Sequence, residues 1–106
     1  MSVMVTVSVK ADGRKLEEWA GANHEHMAGI VETAKQHGAM AHRFYGDDNG
    51  NVMVLDEWPD AESFQTFFHE TMDRIGPMMA AAGAQGEPQV AIWRELDTHD
   101  KLGWGA

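Results

Sequence analysis

Six histidines are the side chains of this sequence best suited to moving protons near neutral pH, and there is no cysteine. The missing cysteine removes thiolate nucleophiles, disulfides and sulfur-based metal sites. His42 is the first candidate. It shares a strand face with Met40 and Phe44, and a neutral imidazole beside an apolar pocket could take a phenolic or α-carbonyl proton. A core or dimer-interface histidine would show the same pattern. His26 lies over the same helix edge as Trp19 and Ile30 and could tilt inward as a base, or stay half-exposed. Asn23 falls near the centre of that helix's apolar stripe, where a buried amide needs partners. It could orient a ligand carbonyl or hydroxyl, or bond to a neighbouring strand or to water. His42, His26 and Asn23 are thus the catalytic candidates. His24 and His26 flank the stripe on opposite sides, and zinc pairs on helices need spacings of three or four, so no metal site is expected. His69 falls off its helix's apolar stripe and should be solvated.

Aromatic and methionine side chains would line any ligand pocket: Met27, Trp58, Phe64, Phe67, Phe68 and Met72 are the binding candidates. Such residues suit flat hydrophobic ligands, and they also build ordinary cores. Asp56 and Trp58 share a strand face, with the Trp read as packing. There is no Gly-rich phosphate loop, no Gly-x-Ser-x-Gly and no carboxylate cluster at metal spacing.

Periodicity supplies the frame. Ser2–Lys10 alternates valines with Met4, Thr6 and Ser8, as a strand does. From Arg14 to about Gln36 apolar residues recur at three and four, one helix that Gly38 stops. Ala39–Tyr45 and Asn51–Trp58 are strands joined through an Asn-Gly hairpin signal. Asp60 caps a second helix, Ala61–Ile75, striped by Phe64, Phe68, Met72 and Ile75 with Phe67 on the flank. Gly76-Pro77 should interrupt it, leaving a short turn at Met78–Ala82 and a loop at Gly83–Pro88. Gln89–Leu96 is the fourth strand. The order β-α-β-β-α-β is an α+β, ferredoxin-like split β-α-β fold: a four-stranded antiparallel sheet with two helices on one face. Residues 1–96 form the domain and 97–106 a polar C-terminal tail.

The opposite sheet face carries apolar residues on every strand, and so large a patch implies a partner. Two sheets packed face to face would give a dimeric α/β barrel. A chain of 106 residues, which buries only roughly two-thirds of its unfolded surface, would benefit from that homodimer. Seventeen acidic residues against eight basic give a formal charge of −9, which repels phosphate backbones and anionic lipid; neither nucleic acid nor membrane is expected as a partner. The N-terminal segment lacks the basic region and apolar run of a signal peptide, so a cytoplasmic location is expected.

The segment HGAMAHRFYGDDNGNVMVLDEWPDAESFQTFF, residues 37–68, resembles the antibiotic-biosynthesis-monooxygenase-like branch of the dimeric α/β-barrel superfamily. The resemblance rests on Gly38 ending the first helix, the Asp47–Gly50 turn, Asp56 with Trp58, Asp60, and the aromatic second helix from Phe64. It implies a dimer with a pocket in each subunit. Some members oxidise aromatic polyketides with O₂ and no cofactor, others degrade haem, and others isomerise or dehydrate. The haem-degrading pattern of a strand-one Asn, a helix-two Trp and a downstream His has no counterpart in this chain. A helix-two His that many members carry falls at Phe67.

The resulting expectation is a small-molecule pocket protein needing no cofactor, with monooxygenation of an aromatic or enolisable substrate as its concrete form. The alternative is a non-catalytic, hydrophobic-metabolite-binding or stress-associated dimer.

Overall fold

The computed structural model describes residues 1–105; Ala106, the last of the expected tail, lies outside the described residues. Seven elements follow one another: β1 (Val3–Lys10), α1 (Gly13–Ala22), α2 (His24–Gln36), β2 (Ala41–Gly46), β3 (Asn51–Trp58), α3 (Ala61–Ala81) and β4 (Gln85–Arg94). The strands form one antiparallel sheet in the order β2-β3-β1-β4. This is the α+β arrangement expected from the alternation of strand and helix periods, with three helices rather than two.

The extra helix comes from Asn23. Its backbone leaves the helical region (φ −133°, ψ 47°), closing α1 and opening α2. Asparagine competes for backbone hydrogen bonds, and its Nδ2 donates to the carbonyl of Trp19 at 2.8 Å. Apolar periodicity runs through the break unaltered, so the stripe alone reads as one helix. Asp12 caps α1 by accepting from the Arg14 and Lys15 amides, and Asp60 caps α3 by accepting from Ser63.

Gly76-Pro77 does not end α3, which runs unbroken over 21 residues. Proline removes one intrahelical bond on an exposed side. The turn beyond it places Met78 and Ala82 in a core cluster with Ala11, Leu16 and Val52. Burial of that turn outweighs the lost bond. β4 begins earlier than the sequence suggests, at Gln85, because it is an edge strand. Pro88 is tolerated there, and the register slips opposite Ser8 and Lys10 where Gly86 takes φ 77°. It also ends earlier, at Arg94, two residues before the expected Leu96.

β1 and β3 carry the core. Val5, Trp58, Ile30, Ala34, Phe64 and Phe67 form one buried cluster between sheet and helices. The hairpin joining β2 to β3 is held by Asp47, whose carboxylate accepts from the Asn49 and Asn51 amides and the Asn51 side chain. Those bonds hold the Asp47 carboxyl below its usual range, the Asn51 side chain contributing most. Gly38 must be glycine: at φ 97° an added Cβ would lie 3.0 Å from the Pro59 ring.

The second sheet face, away from the helices, presents Met4, Tyr45, Met53, Leu55 and Trp93. Tyr45 and Trp93 are 47% and 56% exposed. No helix among the described residues is long and apolar enough to cross a membrane.

Candidate functional site

The register of β2 against β3 sets His42 directly opposite Asp56. Both point to the helix side of the sheet, the face that holds Val52 and Trp58. His42 Nδ1 lies 2.7 Å from Asp56 Oδ1, and Trp58 Nε1 donates to the other carboxylate oxygen, Oδ2, at 3.1 Å. Asp56 is 5% exposed, whereas the His42 side chain keeps 29% of its surface. A carboxylate in its ionised form only accepts hydrogen bonds; beside it a neutral imidazole would carry its proton on Nδ1 and keep the Nε2 lone pair free. That is the arrangement of a general base with an orienting acid.

The dyad stands at the wall of a cavity between sheet and helices, in which the space open to the centre of a water molecule is ≈ 80 Å³. One water needs only ~10–15 Å³ by this measure, so this is more than a packing defect. β1 contributes Val7 and Val9, α2 contributes Met27, Ile30 and Ala34, and α3 contributes Phe64, Phe67, Phe68 and Met78. His42 and Asp56 are the polar side chains in the lining; every other lining residue is apolar. An aromatic wall backs it. Trp58 meets Phe64 and Phe67 at ring-centroid distances of 5.8 and 5.2 Å, and Phe64 stacks on Phe68 at 5.4 Å. His42 itself meets Phe44 edge-on at 5.2 Å.

No family model matches the chain, and no curated protein does. Solved structures do. An antibiotic biosynthesis monooxygenase superimposes with a TM-score of 0.62 at 17% identity, over 90% of this chain and 99% of that one. The chain shares that fold. A conserved protein from Methanosarcina mazei Go1 gives 0.64 at 16% identity, over 91% and 94% of the two chains. A dimeric ferredoxin-like protein from an uncultured marine organism gives 0.65 at 9% identity, over 95% and 93%.

Among the residues singled out from the sequence, His42, Met27, Phe64, Phe67 and Phe68 meet at this cavity. The others do not. His26 faces a neighbouring helix: its Nε2 lies 2.7 Å from the carbonyl of Arg74 on α3, and its ring stands edge-on to Trp19 at 5.0 Å. Asn23 spends its amide on the Trp19 carbonyl, 2.8 Å away, at the break between α1 and α2. Trp58 is fully buried but sits behind the lining, against Asp56.

Met72 is 53% exposed and lies outside the cavity. The buried face of α3 runs through Phe64, Phe67, Thr71 and Met78, so Phe67 is central rather than flanking. A polar residue, Thr71, displaces Met72 from that face because its hydroxyl donates to the Phe67 carbonyl within the helix and needs no outside partner.

Asp56 was visible in the sequence as a strand residue but not as the partner of His42. The hairpin holds the missing signal: counting outward from the Asp47–Asn51 closure brings residues 42 and 56 opposite each other. His37 also acquires an unforeseen partner, Glu70 on α3, beside the Phe67 ring. Among the described residues no three metal-ligating side chains converge.

Proposed function

We propose that the cavity binds a small hydrophobic, aromatic or enolisable molecule, and that His42, oriented by Asp56, removes its acidic proton for cofactor-independent oxygenation. The observation that carries this reading is the polarity of the lining: one carboxylate–imidazole pair in an otherwise apolar wall. A neutral substrate enters such a wall readily. Its anion, once formed, has the new imidazolium as its counter-charge.

For an anthrone-like CH₂ substrate, Nε2 takes one proton and the carbanion passes one electron to O₂. The resulting radical pair combines to a peroxide, which recovers the proton from His42. Loss of water then leaves a ketone: R₂CH₂ + O₂ gives R₂C=O + H₂O, with all four electrons coming from the substrate. The protein supplies orientation, a base and a dry cavity. The fold shared with a structure named antibiotic biosynthesis monooxygenase supports the reaction class.

The active unit in this reading is a homodimer joined through the sheet face that carries Met4, Tyr45, Met53, Leu55 and Trp93. The half-exposed Tyr45 and Trp93 and the dimeric neighbour of the same fold support it. Sizing at micromolar concentration should give twice the chain mass, and a monomer would remove this part.

The catalytic part is tested by incubating the protein with hydroxyanthrones and hydroquinones under isotopically labelled O₂. A ketone or quinone carrying labelled oxygen in the anthrone reaction, lost in His42→Asn, is the expected result. Ligand binding without any O₂-dependent product would leave a binding protein only.

A further inference from the structure

Among the described residues, Trp58 is the one donor besides His42 that reaches the Asp56 carboxylate by side chain. It has no surface of its own, being 0% exposed, and Phe64 and Phe67 hold its ring from two sides. A carboxylate gripped by one donor can turn about its own bond. Gripped at one oxygen by His42 on the neighbouring strand and at the other by Trp58 on its own strand, it cannot. The indole N–H therefore has an influence beyond packing, because the plane of Asp56 decides where the imidazole ring points and which nitrogen carries the proton.

We propose that Trp58 is a positioning residue for His42: by fixing the Asp56 carboxylate, its indole N–H holds the proton of His42 on Nδ1 and turns bare Nε2 toward the cavity. The proposal rests on the reading of His42 as the base. The grip is selective, since among the described residues no other charged group lines the cavity with the pair. The lining drawn from β1, α2, β2, β3, α3 and β4 contains no ionisable side chain besides His42 and Asp56. The remaining indoles are placed differently. Trp93 donates to the Thr6 hydroxyl, Trp104 is solvated, and Trp19 lies against His26.

The test begins with the unaltered protein. Long-range ¹H–¹⁵N correlation spectra, taken where His42 is neutral, should show a protonated Nδ1 and a bare Nε2. On acidification the Trp58 indole N–H resonance should move with the same midpoint as His42, while those of Trp93 and Trp104 follow neither. A bare Nδ1, or a Trp58 signal indifferent to the His42 titration, overturns the proposal. Trp58→Phe should then convert His42 to a mixture of both tautomers. Where oxygenation is measurable, kcat should fall by roughly tenfold with KM unchanged, well inside the cost of misplacing a reacting group. A single, unchanged tautomer in Trp58→Phe also overturns it. Should that variant fail to fold, the titration of the unaltered protein decides the matter alone.

The two readings fail separately. The correct tautomer in a protein without turnover removes the catalytic role and keeps the relay. Turnover with the proton on Nε2 removes the relay and keeps the chemistry.

Discussion

Ala34 is 7% exposed, belongs to the main core cluster and borders the cavity from α2, which makes Ala34→Leu a direct probe of that space. The substitution adds three carbons. Two routes give its maximal effect. Filling ≈ 80 Å³ at about 24 cal/mol per Å³ amounts to ~2 kcal/mol. Burying three further methyl or methylene groups at roughly 0.8 kcal/mol each gives ~2.4 kcal/mol. Off-rotamer strain on a packed helix subtracts from either figure. The expected outcome is a gain of about 1–2 kcal/mol in urea unfolding followed by circular dichroism, with Tm higher by at least about 4 °C. The same variant should lose ligand binding and any oxygenation, since the added side chain occupies the space the substrate needs. A loss of more than about 1 kcal/mol would mean that the wall cannot accept the side chain and that the cavity arithmetic is wrong. Full retention of ligand affinity in a stabilised variant would place the ligand elsewhere.

Three further outcomes follow from the fold. Phe67→Ala should cost about 3–5 kcal/mol in denaturant unfolding, while Met72→Ser changes stability by less than about 0.5 kcal/mol; comparable losses would refute the rotated face of α3. Pro77→Ala restores a backbone donor on the exposed side of α3 and should stabilise the protein by roughly 1 kcal/mol or more, measured as a rise in the urea midpoint; a fall would show that the ring itself packs. The Asp47 carboxyl is held below its ordinary value of 3.8, so its stabilisation is present above that pH and disappears as pH falls through the lowered folded value. Asp47→Asn should therefore flatten the acid limb of the stability profile, and an unchanged limb would deny the hairpin its carboxylate.

Much of the frame was legible because strand and helix periods differ and turn residues punctuate them. β3 has the expected bounds, and the Asn-Gly turn lies where β2 meets it. The failures share a cause. Asn23, Pro77 and Pro88 each act through the backbone, while periodicity reads only side chains. Asn23 breaks a helix whose stripe continues, Pro77 sits in a helix whose next turn is buried, and Pro88 is carried by an edge strand. Met72 was expected on the buried face that Thr71 takes, because a hydroxyl bonded within its own helix behaves as an apolar group. At the site, the helix and strand faces already suggested His42, Phe64 and Phe68. The pairing of His42 with Asp56 needed the hairpin register, a long-range quantity that no local pattern carries.

The central position of β1 has a consequence for how the chain is made. β1 is made before the other strands of this sheet, yet one of its two edges is completed by β4, the latest of the four described strands, and the Trp93–Thr6 hydrogen bond spans 87 residues. Until β4 emerges, the valines of β1 have a partner on the β3 side alone. Contacts so distant along the chain are slow to form and leave an intermediate with an open, valine-rich edge. A chain stalled before Gln85 would leave that edge of β1 open to pairing with other chains, and β4 removes the hazard by covering it.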